Sequence, residues 1–203
     1  MSLQEYRALE EFEGLRIEWV NGEAIVFMPP LWRHIQLTSF LVGILQPFVN
    51  LLDLGGVYFE HLGVELPGSS SIRLPDVVVV LKDHFHRMQR EGLVGAADFI
   101  AEVLSLDSTT RDRRDKYLEY QTAGVAEYLV FDGREGRFGF WFYRLDQDGR
   151  YQLVQPDERG RYHSEVLPGL WFDPRWFEQD PLPNPLHLLK EIAPDAWRRF
   201  VGE

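Results

Sequence analysis

Cysteine is absent from the 203 residues of the chain. Its absence excludes disulfide bonds and thiolate metal sites. Any metal ion must therefore be bound by carboxylate, imidazole or main-chain carbonyl groups. A chain of this length that is 45% hydrophobic can bury a substantial core without such cross-links.

Long apolar runs are also missing. The most apolar segment, FLVGILQPFVNLL at residues 40–52, is shorter than the roughly 18 residues that a membrane span needs. Residues 1–20 contain no basic region followed by an apolar run, which is the pattern of a secretory signal. We therefore expect a soluble, cytoplasmic protein with no membrane association.

Positive charge is scarce, and the formal net charge is −11. This argues against nucleic-acid binding, which usually depends on a basic surface. The middle of the chain differs, because residues 73–116 contain eight basic and eight acidic residues while both flanking segments are acidic. It includes the basic cluster TTRDRRDK, with Arg111, Arg113, Arg114 and Lys116. A solvated helix face is the usual explanation of such a cluster, and contacts to phosphates are the functional one.

The hydrophobic pattern predicts an α/β (α+β) fold with a mixed central sheet. Asn21-Gly22 between two β-rich runs predicts a hairpin at residues 15–30. Residues 31–52 predict a helix that Pro47 kinks or ends early. Further strands and helices follow, in the order strand 57–66, strand 74–81, polar excursion 83–97, strand 98–106, helix to Ala123, strand 126–132 and a second hairpin over 137–154.

Two carboxylates and a lysine occupy positions that folding alone does not require. Asp76 opens the apolar strand LPDVVVVL, Glu102 lies inside the apolar strand FIAEVLSL, and Lys116 lies on the next helix. A charge in a buried strand is costly unless it is paired or binds a metal. A divalent cation removes this cost and the repulsion between the carboxylates. The three residues therefore predict a phosphodiester-cleaving site that uses Mg²⁺.

Each of the three residues also has a purely structural explanation. Pro-Asp is common turn chemistry, and Glu102 faces solvent if its strand is covered on one side only. Lys116 lies four residues after Asp112, a spacing that allows a weak surface pair. It is the combination of the three, in this order and on these elements, that favours a site.

The pattern resembles the PD-(D/E)XK nuclease superfamily and, more narrowly, the Uma family of putative restriction endonucleases. Asp76 in LPD and Glu102 in AEVLS are separated by 25 intervening residues, and this pair resembles the superfamily motif. The resemblance covers roughly residues 3–178 and is carried by four segments, RIEWVNGEAIVFMPP followed by RH, RLPDVVVV, AEVLSLDSTTRDRRDKYLEYQTAGVAEYLVFD and LPGLWFD.

The resemblance implies a restriction-endonuclease-like core with helices flanking the sheet, an N-terminal hairpin and a C-terminal β extension. It places one nuclease domain at residues 1–178. The segment DPLPNPL then predicts a Pro-rich linker and a short C-terminal helix at 179–203. Asp76, Glu102 and the main-chain carbonyl of Leu104 would bind Mg²⁺ or Mn²⁺. Leu104 stands where the superfamily lysine usually lies, and Lys116 is implied to replace that lysine.

Weaker candidates surround these positions. His34 lies on the apolar stripe of the first long helix, where a histidine is more often part of the core, but the family has a similar RH. Glu18 and Glu60 are acidic residues that could line the site or extend the metal shell. Arg111, Arg113 and Arg114 are candidates for phosphate contacts.

These observations leave three functions open. The first is a Mg²⁺-dependent endonuclease acting on DNA, expected as a homodimer because cutting two strands takes two sites. The second is an inactive nuclease fold that binds nucleic acid or protein, and the acidic surface supports it. The third is a sugar or nucleotide hydrolase with Asp76 and Glu102 as an acid–base pair, which leaves Lys116 without a role.

Overall fold

A computed structural model of the chain describes residues 1–9, 16–59, 62–104, 110–134 and 136–202, with the side chains of residues 110–112 excepted. The strands are β1 (Ile17–Val20), β2 (Glu23–Val26), β3 (Gly55–Phe59), β4 (Val64–Glu65), β5 (Ser71–Arg73), β6 (Val77–Leu81), β7 (Met88–Gln89), β8 (Gly92–Val94), β9 (Phe99–Leu104), β10 (Glu127–Asp132), β11 (Gly139–Leu145), β12 (Tyr151–Leu153), β13 (Tyr162–His163) and β14 (Trp171–Phe172). The helices are α1 (Leu3–Leu9), α2 (Trp32–Leu51), α3 (Thr110–Ala123), α4 (Arg175–Glu178), α5 (Pro185–Ile192) and α6 (Pro194–Val201).

The central sheet has six strands in the order β12-β11-β10-β9-β6-β3. Strands β9 and β10 run parallel, with α3 as the connection between them, and the other neighbours are antiparallel. Strands β6, β9 and β10 lie inside the sheet, which explains why their sequences are apolar on both faces. This mixed sheet with flanking helices confirms the predicted fold class.

Alternate residues of the central strands enter two different cores. Val77 and Val79 pack in a cluster with residues of α2 such as Leu41 and Phe48. Val78 and Val80 pack on the other face, in a cluster that includes Tyr120 of α3. Because side chains of a strand alternate between faces, Glu102 shares the α3 face with Ile100 and Leu104.

The hairpin and helix predictions are largely confirmed. Asn21 and Gly22 have φ values of 50° and 84°, the left-handed conformations that a type I′ hairpin turn requires. Gly124 has φ 86° and follows the last residue of α3, as predicted for a C-terminal glycine. Of the two outcomes expected at Pro47, the early stop is wrong, because α2 continues to Leu51. Phe48 and Val49 beyond the proline are fully buried, and their burial offsets the missing backbone hydrogen bond.

A second sheet, in the order β2-β1-β5-β4-β8-β7, covers part of the α3 side. Its β7 and β8 come from residues 83–97, so the expectation of an irregular polar excursion there is wrong. Leu93 and Ala97 are buried, and Val64 of β4 pairs with Leu93 of β8. This long-range pairing imposes strand structure on a segment with little local β signal.

The C-terminal part of the chain folds back on the central sheet. Strands β13 and β14 form a two-stranded sheet, which is the expected C-terminal β extension. Beyond residue 178 the chain forms α5 and α6 where one short helix was expected, and Leu188, Leu189 and Ile192 of α5 enter the same core as α2. Within the described part of the chain, none of the helices combines the length and hydropathy that crossing a membrane demands.

Candidate active site

Strand pairing brings Asp76 and Glu102 to the same place. Val77 pairs with Ala101 in the antiparallel register of β6 and β9, so the next step along each strand sets Asp76 opposite Glu102. Residues directly opposite in an antiparallel pair have Cβ atoms about 4.5–5.5 Å apart. Both carboxylates are buried, with 5% and 6% of their surface exposed. The structure thus forms a buried carboxylate pair at the end of β6.

Asp76 is held by three hydrogen bonds. Arg16 Nη2 donates to Oδ1 at 2.9 Å, while Oδ2 accepts from the Val103 backbone N–H at 2.8 Å and lies 3.1 Å from His34 Nε2. An ionised carboxylate only accepts hydrogen bonds, so Nε2 carries the proton in this contact. Burial alone would raise the pKa of Asp76, but the His34 hydrogen bond and the Arg16 charge outweigh it and lower the pKa to about 2. Asp76 is therefore ionised at neutral pH.

Glu102 has the opposite electrostatic behaviour. Its Oε1 accepts hydrogen bonds from Lys116 Nζ at 3.0 Å and from the Tyr120 hydroxyl at 2.8 Å. Burial raises the pKa of Glu102 to about 7, and the negative charges of Asp76 and Glu18 add to this while Lys116 opposes it. Near neutral pH this carboxyl group therefore changes its ionisation easily.

Lys116 lies between two acidic side chains. Its Nζ is 3.0 Å from Glu102 Oε1 and 3.3 Å from Glu18 Oε1, and only 7% of the side chain is exposed. Lys116 and Tyr120 are four residues apart on α3, one turn of helix, so both reach the same carboxylate. The helix that connects β9 to β10 therefore supplies two of the groups that contact Glu102.

A buried ion-pair network fixes Glu18. Trp19 pairs with Ile72 between β1 and β5, and this register sets Glu18 opposite Arg73. Arg73 Nη1 donates to Glu18 Oε2 at 2.8 Å, and its Nε and Nη2 donate to the two oxygens of Glu119 at 2.7 and 2.9 Å. Burial would raise the pKa of Glu18, but Lys116 and Arg73 hold it below its usual value. The second sheet thus positions an ionised carboxylate against Lys116.

The donor set fits a small divalent cation. Asp76 Oδ1 accepts one hydrogen bond, and Glu102 Oε2 accepts none from the described residues, so both oxygens have free lone pairs. Two buried carboxylates that repel each other gain most from a shared cation. No group of three or more His, Asp and Glu side chains converges as a ligand set among the described residues. Mg²⁺ does not need one, since it keeps several waters and uses one or two carboxylates.

Among the other predicted site residues, some contact the groups described above and others lie elsewhere. His34 and Glu18 join the site through Asp76 and Lys116, as described above. Leu104 ends β9 two residues after Glu102.

Among the arginines predicted to contact phosphates, Arg113 lies over the ring of Trp141, 4.6 Å from its centroid. Arg114 is exposed on α3. Glu60 and the side chain of Arg111 lie outside the described residues.

Three residues that contact the site were not predicted from the sequence. Arg16 neutralises Asp76, Arg73 holds Glu18, and Tyr120 donates to Glu102. The helical spacing from Lys116 was a usable signal for Tyr120. Arg16 and Arg73 give no such local signal, because their partners lie 60 and 55 residues away along the chain.

Comparison with known proteins gives a family and a fold. The model of the Uma2 family, described as "Putative restriction endonuclease", matches residues 3–175. A crystal structure described as a putative nuclease belonging to DUF820 from Anabaena variabilis superposes with a TM-score of 0.71 at 19% sequence identity, covering 88% of this chain and 97% of that one. No curated protein matches the chain. The chain belongs to the Uma2 family of putative restriction endonucleases.

Proposed function

We propose that the chain is a Mg²⁺-dependent endonuclease that hydrolyses DNA phosphodiester bonds. The observation that carries the proposal is the juxtaposition of the opposed carboxylates Asp76 and Glu102 with Lys116 Nζ, which lies 3.0 Å from Glu102 Oε1. Here two buried carboxylates face each other, and each has an oxygen with a free lone pair.

Asp76 and Glu102 would bind Mg²⁺ or Mn²⁺, with the Leu104 carbonyl as the main-chain ligand. When bound, the ion polarises the phosphate and lowers the pKa of a bound water. Glu102 would be ionised in that state, and its buried position limits the freedom of the ligand oxygens. Arg16, 23% exposed at its side chain, is close enough to Asp76 to neutralise a phosphate oxygen brought to the same place.

Lys116 would orient the attacking water and stabilise the negative charge that develops on the phosphate. In the reaction, the water oxygen forms a bond to phosphorus and the bond from phosphorus to one sugar oxygen breaks. The water loses a proton, and the leaving sugar oxygen gains one. Glu18 and Tyr120 act through Lys116 and Glu102, so they are positioning residues.

The proposal is tested by incubating the full chain with supercoiled plasmid in Mg²⁺, in Mn²⁺ and in EDTA, beside the variant Glu102→Gln. We expect nicked and linear DNA with either metal, no product in EDTA and almost none with Glu102→Gln. Gln is isosteric and still accepts hydrogen bonds from Lys116 and Tyr120, so the fold is retained. Cleavage in EDTA, or at the original rate by Glu102→Gln, would overturn the proposal.

A second function is favoured by one specific observation. Arg16 already compensates the charge of Asp76 without a metal, and His34 contacts the other oxygen of that carboxylate, as expected in an inactive nuclease fold that binds nucleic acid or protein. This alternative predicts that neither Mg²⁺ nor Mn²⁺ raises the Tm of the protein. The endonuclease predicts a saturable rise with metal concentration, because a ligand that binds only the native state stabilises it.

The homodimer belongs to the same proposal, since cleaving both strands of a duplex takes two sites. Sedimentation equilibrium with and without a duplex oligonucleotide measures it. A dimer in either condition supports coupled double-strand cleavage, and a monomer in both limits the enzyme to nicking.

A further inference from the structure

A cleft of about 1010 Å³ borders the candidate active site. His34 and Val103 line it, and both also contact Asp76, through Nε2 and the backbone N–H respectively. Leu104, two residues after Glu102, forms part of the same wall. A chain that occupied this cleft would therefore reach the carboxylate pair at one end.

Three arginines line the cleft, although the chain as a whole is acidic. Arg33, Arg134 and Arg137 line it against two acidic residues, Glu178 and Asp180. Arg33 is braced by the carbonyl oxygens of Phe177 and Gln179, and Arg134 by Asp132. Arg137 is exposed, and its guanidinium makes no hydrogen bond to the described residues. Arg137 is therefore the cleft arginine that a polyanion can contact, although the net charge of the chain is −11.

Large apolar side chains stand exposed at the same cleft. Trp32, the first residue of α2, is 67% exposed, Leu31 is 56% exposed and Phe138 is 42% exposed. Aromatic rings left in water beside arginines form the surface that binds unpaired nucleic-acid bases, because every base has a face that can stack on a ring. The bases of a duplex are already stacked on one another and cannot use such rings.

We infer that this cleft binds an unpaired stretch of the DNA strand beside the scissile phosphate. The bases stack on Trp32 and Phe138, and Arg137 neutralises the phosphates. The inference rests on the proposed function and names the form of its substrate, namely DNA with single-stranded character next to the cut. The volume of the cleft is near the upper limit of small-molecule pockets. The cleft therefore accepts a few nucleotides and cannot bury a duplex.

The test is fluorescence anisotropy of a labelled single-stranded oligonucleotide and of the matching duplex, with the full chain in EDTA so that no cleavage occurs. Trp32→Ala and Phe138→Ala should each weaken single-strand binding roughly tenfold. Arg137→Ala should also reduce the salt dependence of binding, by about 0.7 in the slope of log K against log salt. Phe200→Ala and Arg159→Ala are matched controls, exposed residues outside the cleft, and should bind as the original chain does.

Tighter binding of the duplex than of the single strand, or single-strand binding unchanged by Trp32→Ala, would overturn the inference. The binding assay separates this failure from that of the proposed function. If the chain binds single strands through Trp32 but never cleaves DNA with Mg²⁺, the inference about the cleft is supported and the proposed endonuclease activity is wrong. If the chain cleaves DNA but Trp32→Ala binds single strands normally, the proposed activity is supported and the inference about the cleft is wrong.

Discussion

Strand β6 has an aspartate–histidine contact at each end, and the two ends differ in what surrounds that contact. At the start of the strand, His34 Nε2 lies 3.1 Å from Asp76 Oδ2, and at the far end His84 Nδ1 lies 2.6 Å from Asp98 Oδ1. Both aspartates are 5% exposed and both accept a backbone N–H, from Val103 and Leu81 respectively. In burial and in these two hydrogen bonds the aspartates are therefore alike, and Asp76 accepts in addition a hydrogen bond from Arg16 Nη2.

The two aspartates differ in the residue that lies opposite each of them on the neighbouring strand. The register of β6 and β9 sets Glu102 opposite Asp76 but Val80 opposite Asp98. Asp76 thus faces a second carboxylate, Glu102, which contacts Lys116, whereas Asp98 accepts the N–H of Leu81 at the end of β6 and contacts one histidine. A buried aspartate with a histidine does not make an active site, and the second carboxylate with its lysine is the distinguishing feature.

The strongest test of this comparison exchanges one oxygen for nitrogen at each end. Asp76→Asn should lower DNA cleavage by on the order of 1,000-fold, because a lost metal ligand removes several kcal/mol of transition-state stabilisation. Asp98→Asn should leave cleavage within a few-fold of the original. Plasmid nicking rates measure both, and equal losses at the two ends would remove the distinction between them.

The two lysines allow a similar comparison. Lys116→Met should lower cleavage on the order of 100-fold, the usual scale for a positioned proton-transfer group, while the metal-induced rise in Tm persists because the carboxylates remain. Lys82 is ion-paired with Asp53 at the far end of β6 and is 48% exposed, so Lys82→Met should change neither quantity. Loss of metal binding in Lys116→Met would indicate that the lysine holds the site together and does not act in the chemical step.

The pH dependence of stability provides a third contrast. A folded-state pKa of about 7 for Glu102 lies above its unfolded value, so the folded chain binds the extra proton and loses stability as pH rises from about 4.5 to about 7. In EDTA, Glu102→Gln should therefore raise the Tm by several degrees at about pH 8, and the gain should shrink at acidic pH. Thermal unfolding monitored by circular dichroism measures it.

Asp76 gives the opposite sign. Its folded-state pKa of about 2 lies below the unfolded value, so its contribution is present above about pH 4 and is lost as pH falls toward 2. Asp76→Asn should accordingly lower the Tm at neutral pH.

For the Glu102 prediction, a Tm of Glu102→Gln that equals the Tm of the original chain at every pH would contradict the raised pKa of Glu102.

The smallest expected effect concerns the tyrosines of α3. Tyr120→Phe removes the 2.8 Å hydrogen bond to Glu102 Oε1 and should lower cleavage about fivefold, since such a bond contributes about 1 kcal/mol. Tyr117→Phe removes only a 3.4 Å contact to the Tyr151 carbonyl and should have no measurable effect on cleavage. Equal rates for the two variants would remove Tyr120 from the site.

Local signals in the sequence predicted much of the fold and missed what depends on distant pairing. The Asn21-Gly22 turn, the valine run of β6 and the glycine after α3 were each readable within a few residues. The rest of the second sheet was not, because β5, β7 and β8 have only two or three residues each. Strands this short show no periodicity, and they exist because a partner strand elsewhere in the chain stabilises them.

The candidate site divides in the same way. Asp76 and Glu102 were predicted because a charge in an apolar segment requires an explanation. Lys116 was predicted because the family resemblance implies a lysine on the helix that follows. The residues that hold them, Arg16 and Arg73, were missed, because ordinary arginines in a hairpin and a short strand carry no such conflict. Their positions depend on the register of β1 with β5 and of β6 with β9. Because β5 of the second sheet is followed directly by β6 of the central sheet, residues of both sheets meet at the site.

The central claim is that Asp76 and Glu102 share a divalent cation. Crystals of the full chain soaked in MnCl₂ and measured by anomalous diffraction test it directly. We predict a peak between Asp76 Oδ1 and Glu102 Oε2, at roughly the 2.0–2.2 Å spacing of oxygen ligands to a small divalent ion, and none beside Asp98. The absence of a peak between the two carboxylates, or a peak at the His84–Asp98 end of β6 alone, would contradict the account.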